Sequence, residues 1–125
     1  MRPFRFGLQT SNASDPQAWR DKARKAEDLG YVALYIPDHF TDQWGPLVAL
    51  TVAAEATTTL QIGGLVFDND YRHPVVLAKE IATLDLMSEG RALALFTFVD
   101  VLTPFSGDRD PLVEAVVDRL SAAGV

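Results

Sequence analysis

The chain has no cysteine among its 125 residues, so it has no disulfide framework, no thiolate nucleophile and no cysteine-type zinc site. Positive charge is scarce and scattered. The formal net charge is -6, and Arg20, Lys22, Arg24 and Lys25 on one helix are the densest basic group, which speaks against nucleic acid as a partner. No apolar run approaches the roughly 20 residues of a membrane span, and Met1-Arg2-Pro3-Phe4-Arg5 lacks the apolar stretch of a signal peptide. The expectation is a cytoplasmic protein without a membrane partner, in which the Asn12-Ala13-Ser14 sequon is idle. Motifs of several chemistries are missing too: there is no G-x-G-x-x-G, no P-loop and no G-x-S-x-G serine elbow. Asp68-Asn69-Asp70 lacks the spacing and distal glutamate of a calcium loop, and the two histidines have no third ligand at metal spacing, so no metal site is expected.

What is present is a globular composition, 48% hydrophobic and 22% charged, with no linker, which reads as a single domain over 1–125. Four short apolar runs alternate with four helical stretches, the pattern of a parallel α/β sheet or barrel. Phe4 to Gln9 is the first strand. Asp15 and Pro16 then open a helix that Gly30 ends, with Ala18, Trp19, Ala23, Ala26 and Leu29 inward and Arg20, Lys25 and Glu27 outward. Val32 to Ile36 is the second strand, and Pro46 opens a second helix, through about Thr58, that is apolar nearly all round. Leu60 to Phe67 is the third strand, with a bulge or a close backbone approach expected at Gly63-Gly64 in place of ordinary ladder pairing. Pro74 opens the third helix, with Val76, Leu77, Ile81, Leu84 and Met87 on its core face and Gly90 as its stop. Ala92 to Val101 is the fourth strand, and Asp110-Pro111 opens a last helix.

Ligands of parallel α/β folds bind at the carboxyl ends of the strands. Asp38, His39 and Trp44 follow the second strand there, and Asp68, Asn69, Asp70, Arg72 and His73 follow the third. An imidazole in such a loop can exchange a proton near neutral pH and hydrogen-bond a planar ring; equally, Asp38-His39 can simply cap the loop. His73, just before Pro74, reads as a cap of the third helix. Trp19 reads as core, and Trp44, in a loop, as the tryptophan available to stack on a ring.

In order along the chain, FRFGLQ, the helix ending in AEDLGY, PDHF, AAEAT before LQIGG, the NDYRHP loop and KEIATLDLMSEGR resemble the luciferase-like monooxygenase family, most of all its branch that uses the deazaflavin coenzyme F420. The resemblance covers residues 4 to 91. It implies a TIM barrel, a cofactor that is F420 or flavin mononucleotide (FMN), and an oxidoreductase acting on a small-molecule substrate by hydride transfer or oxygenation. It also implies roles: His39 as a contact to the cofactor ring, Trp44 on the substrate side, and Gly64 to Phe67 as a bulge beneath the ring; by their place in the same loops, His39 and Asp38 are the candidate catalytic residues, Gly64, Leu65 and Asn69 candidate cofactor contacts and Asp70 a candidate substrate contact. A full barrel takes about 250 residues. The expectation is therefore a partial barrel of about four βα units, a half-barrel completed by homodimerisation. Residues 92 to 125 read either as a divergent fourth βα unit or as the family's closing unit joined directly to the third. Two other functions stay open: a cofactor-free cyclase or isomerase of a biosynthetic pathway, and a non-catalytic dimeric remnant or binding module.

Overall fold

A computed structural model describes residues 4–97. The last four residues of the predicted fourth strand, the loop at 103–109 and the predicted last helix lie outside the described residues. Within them the order is β1 (Gly7–Gln9), α1 (Pro16–Asp28), β2 (Ala33–Ile36), α2 (Pro46–Ala56), β3 (Gln61–Asp68), a single 3-10 turn (Asn69–Tyr71), α3 (Pro74–Met87) and β4 (Ala92–Thr97). The four strands are all parallel and lie side by side in chain order. With right-handed crossovers, an order that never reverses puts every helix on one face of the sheet. That is the winding of a barrel wall; a doubly wound sheet needs a reversal.

The two faces differ in kind. Leu34, Ile36, Ile62 and Ala92 pack in one cluster with Trp19, Ala23 and Ala26 of α1, Leu50 and Ala53 of α2, and Leu77, Ile81 and Leu84 of α3. Because strand side chains alternate, Gly7, Gln9, Ala33, Tyr35, Gln61 and Gly63 point to the opposite face, the inner one of a barrel wall. The Tyr35 ring lies over Gly7, where a Cβ would come within 2.6 Å of it.

Helix starts follow the capping residues of the sequence. Asp15 accepts from the N–H groups of Gln17 and Ala18, and the bond from Ala18 foremost holds its carboxyl below the ordinary carboxylate range. His73 caps α3, its Nδ1 accepting from the Val75 N–H at 3.3 Å. The chain leaves α1 through Gly30 and α3 through Gly90, both at φ 82, the left-handed conformation that favours glycine.

Several expected boundaries and faces are corrected. β1 is short: its register with β2 covers Gly7 to Gln9. α2 ends at Ala56, two residues before the expected end. Leu29 is 66% exposed because it caps α1 instead of continuing its buried stripe. Val76 and Met87 are exposed; α3 is apolar on more than one side, and only Leu77, Ile81 and Leu84 meet the sheet. Glu27 does not face water alone: its carboxylate accepts from the N–H groups of Thr58, Thr59 and Leu60 and so ties α1 to the turn before β3. Gly63 and Gly64 keep ladder pairing with β2 and β4, and the register shift lies between Gly64 and Phe67, the stretch where the resemblance places a bulge. At Gly63 the neighbour that leaves no room for a Cβ is Leu93 of β4.

Candidate functional site at the carboxyl ends of the strands

From Gly64 to Phe67, β3 takes three steps while β4 takes two, from Ala94 to Phe96. One extra residue in a strand of period two exchanges the faces of everything after it. Ile62 before the bulge and Phe67 after it therefore both lie in the helix-side cluster, and Asp68 turns to the inner face at the mouth of the sheet. The bulge contains Leu65, 38% exposed, and a cis peptide joins it to Val66. Gly64 has no room for a side chain because the Phe67 ring fills that space, 2.7 Å from where a Cβ would stand.

The β2 and β3 loops meet at Asp38. This carboxylate is 5% exposed, accepts from the Asp68 N–H at 3.0 Å and from Arg72 Nη2 at 3.1 Å, and receives a second, shorter contact from Arg72 Nη1. A two-point guanidinium fork on a buried carboxylate fixes direction as well as charge. Beside it His39 and Asp70 are exposed, and the Phe40 ring meets the Tyr71 ring at 4.4 Å between centroids, tilted by 56°. Asp68 Oδ1 accepts from the Asp70 N–H at 2.8 Å, which shapes the turn that carries Asn69 and Asp70.

The β1 loop reaches the same end. Ser11 O accepts from the Trp44 N–H at 3.1 Å, Asn12 Nδ2 donates to Asp42 O at 2.9 Å, and Lys22 Nζ donates to Thr10 Oγ1 at 3.0 Å. Trp44 itself lies against Trp19, 5.6 Å between ring centroids, and with Pro16, Val48, Ala49 and Val52 it lines an apolar groove of about 280 Å³ between α1 and α2. Trp19 is core, its Nε1 donating to Ala49 O at 2.9 Å.

The sequence-predicted residues thus divide into groups. Asp38, His39, Asp68 and Asp70 come together at the mouth, with Asn69 on the turn between the last two; Gly64 borders the bulge and Leu65 lies in it; Trp44 belongs to the groove between the helices. Sequence reasoning gave no role to Phe40 and Tyr71, and it did not pair Arg72 with Asp38, a contact 34 residues apart in the chain. The signal for that pair is a carboxylate and an arginine at the ends of adjacent parallel strands. Among the described residues no group of three or more histidines and carboxylates is placed to hold a metal ion, and no helix is long and apolar enough to cross a membrane.

Residues 1–95 match the model of the luciferase-like monooxygenase family. The chain is 32% identical over 93 residues to the 5,10-methylenetetrahydromethanopterin reductase of Methanopyrus kandleri, covering 74% of this chain and 26% of that protein. It is 31% identical over 87 residues to an F420-dependent glucose-6-phosphate dehydrogenase of Amycolatopsis mediterranei, covering 62% of this chain and 26% of that protein. Among solved structures, the coenzyme F420 dependent tetrahydromethanopterin reductase of M. kandleri superposes with a TM-score of 0.67 over 72% of this chain and 26% of its own, at 32% identity. The oxygenating constituent of 3,6-diketocamphane monooxygenase from Pseudomonas putida, in complex with FMN, superposes with a TM-score of 0.63 over 94% of this chain and 38% of its own; at 20% identity it speaks to the fold alone. The chain spans about a quarter of the length of the curated relatives it matches. A barrel wall with strands in chain order, a re-phased third strand and a family match over three-quarters of the sequence lead to one assignment: this chain belongs to the luciferase-like monooxygenase family.

Proposed function

We propose that the chain serves a flavin- or deazaflavin-dependent oxidoreductase acting on a small-molecule substrate, and that the mouth formed by the β2 and β3 loops is its wall for the cofactor ring. The observation that carries the reading is the exposed His39 imidazole at the same sheet end as the β3 bulge. The residues present fit such a ring: an imidazole suits the polar edge of a heterocycle, and a bulge that lifts Leu65 to the surface offers apolar and backbone contact to its face. Bound F420 or FMN would supply the hydride or the electrons. His39 would hold a proton at a ring nitrogen toward the polar edge, with Gly64, Leu65 and Asn69 bordering the ring. Asp38, held by Arg72, would keep the loop under His39 in place. Asp70 would border substrate at the mouth, whereas Trp44, packed on Trp19 in the groove between α1 and α2, is held away from it.

The F420-dependent relatives favour deazaflavin over flavin on this reading. Cytoplasmic placement and a homodimer belong to the same proposal. The second copy would pair the edge of β1, which among the described residues has β2 as its one neighbour. No observation favours a cofactor-free cyclase or a binding module over this reading.

The test is a titration of the full chain with F420 and with FMN, followed by fluorescence and calorimetry. Saturable binding of one of them, weakened at least tenfold by His39→Ala, is expected. A flat response to both would remove the proposal. Light scattering at micromolar concentration tests the dimer separately, and a well-folded monomer would end it.

A further inference from the structure

His39 stands between two residues that are each fastened to the same short turn. Asp38, on its amino side, is buried and takes the Arg72 guanidinium and the Asp68 N–H. Phe40, on its carboxyl side, is 83% exposed, and its ring is in tilted contact with Tyr71, 4.4 Å away. The partners all fall within residues 68 to 72, a segment that the extra residue of β3 directs toward the mouth. The two fastenings differ in chemistry: one is a buried, charged, two-point fork, the other an outer pair of aromatic rings. Both act on the backbone on either side of the histidine and leave its own side chain unoccupied for a ligand.

We propose that Arg72 and Tyr71 are positioning residues for His39, acting through Asp38 and Phe40, so that the turn after β3 sets where the imidazole is presented. A loop side chain fastened on one side can swing about that point; fastened on both sides, the loop presents it in one place. Arg72 is chosen for its fork as much as for its charge, so lysine, a point charge, replaces it incompletely. The Tyr71 hydroxyl plays no part, so phenylalanine should serve as well as tyrosine. The role given to the imidazole rests on the proposed function above, but the positioning itself can be read without cofactor.

The experiment uses the full chain with labelled histidine. It has two histidines, His39 and His73, and a His39→Gln variant assigns the ring signals. In the wild type and in Tyr71→Phe, His39 should give one sharp set of ring resonances. In Arg72→Lys and in Tyr71→Ala it should give broadened or multiple sets, with the Trp19 indole N–H signal unmoved as the control for an intact core. With cofactor and substrate, the same two variants should lose roughly 10- to 100-fold in kcat with KM little changed, the size expected of a misplaced group in a folded enzyme.

The proposal is overturned if the His39 resonances of both variants match the wild type, or if the wild-type ring already averages among several positions. Should Arg72→Lys fail to fold, Tyr71→Ala, a change at a partly exposed ring, decides alone. If neither F420 nor FMN binds but the ring signals respond as stated, the clasp stands and the oxidoreductase reading is what has failed. If a cofactor binds and the ring signals ignore both substitutions, the clasp has failed and that reading survives.

Discussion

The two ends of this sheet are built from similar residues and do different things. At the amino end, charged side chains bond to backbone groups. Glu27 takes three consecutive N–H groups before β3, and Arg91 donates to the carbonyl oxygens of Ser88, Leu60 and Ala54 and to the Thr57 hydroxyl. At the carboxyl end, Asp38 and Arg72 chiefly bond each other, and the residues around them, His39, Phe40, Asp70 and Tyr71, are left exposed. A carboxylate or guanidinium spent on backbone groups closes a loop and leaves nothing for a ligand. Paired with its opposite, it stiffens a loop whose neighbours stay available. The difference bears on recognition as well: AEDLGY and SEGR carry Glu27 and Arg91 and so mark the fold, whereas PDHF and NDYRHP carry the candidate site.

The largest effect should come from substituting the exposed histidine of the carboxyl end. His39→Ala is expected to leave the unfolding free energy within about 0.5 kcal/mol of the wild type, since it is an exposed loop position. Turnover with the bound cofactor should fall by roughly 10²- to 10⁴-fold if the imidazole moves a proton. Denaturant melts and steady-state kinetics on the same preparation check both halves, and a stability loss as large as the catalytic one would erase the division between the ends. Arg91→Ala should behave in the opposite way. It leaves four acceptors without their donor and is expected to cost about 3 kcal/mol in urea unfolding, given the desolvation of unpaired buried polar groups. Cofactor affinity per folded molecule should be unchanged, which calorimetry below the melting range measures.

Much of the fold was legible because its signals are local. Asp15-Pro16 and His73-Pro74 open helices where the sequence places them, and Gly30 and Gly90 take the left-handed conformation after them. Long-range partners carry no such signal. Glu27 looks like an outward helix residue by periodicity, yet the N–H donors that it binds lie more than 30 residues ahead. Val76 looks inward because α3 is apolar on several sides, so spacing alone does not say which stripe meets the sheet. The Gly63-Gly64 pair by itself announced only an irregular strand, whereas the resemblance placed the bulge at Gly64 to Phe67, which is where the register with β4 shifts. At the site, Asp38 and His39 could be singled out by residue type and by their place after β2. The fork from Arg72 and the ring contact between Phe40 and Tyr71 could not, because they exist only once β2 and β3 are neighbours.

The amino end also makes the smaller prediction, one of pH. Burial alone would raise the Glu27 carboxyl, but the N–H groups of Thr59, Leu60 and Thr58 and the Thr59 hydroxyl outweigh it, and the group lies below its ordinary 4.5 in the folded chain. A carboxyl with a depressed folded value stabilises the fold above its unfolded value, and that contribution is lost as pH falls through the folded one. Glu27→Gln keeps the shape but not the charge, so it should cost about 1–2 kcal/mol at pH 7. The gap between variant and wild type should narrow from about pH 4.5 downward. Urea unfolding of both chains at pH 7 and at several values below 4.5 provides the measurement. A gap that stayed constant through the acid range would mean that the ionised state of Glu27 contributes nothing, and that the turn before β3 is held by packing against Leu60 and Ile62 instead.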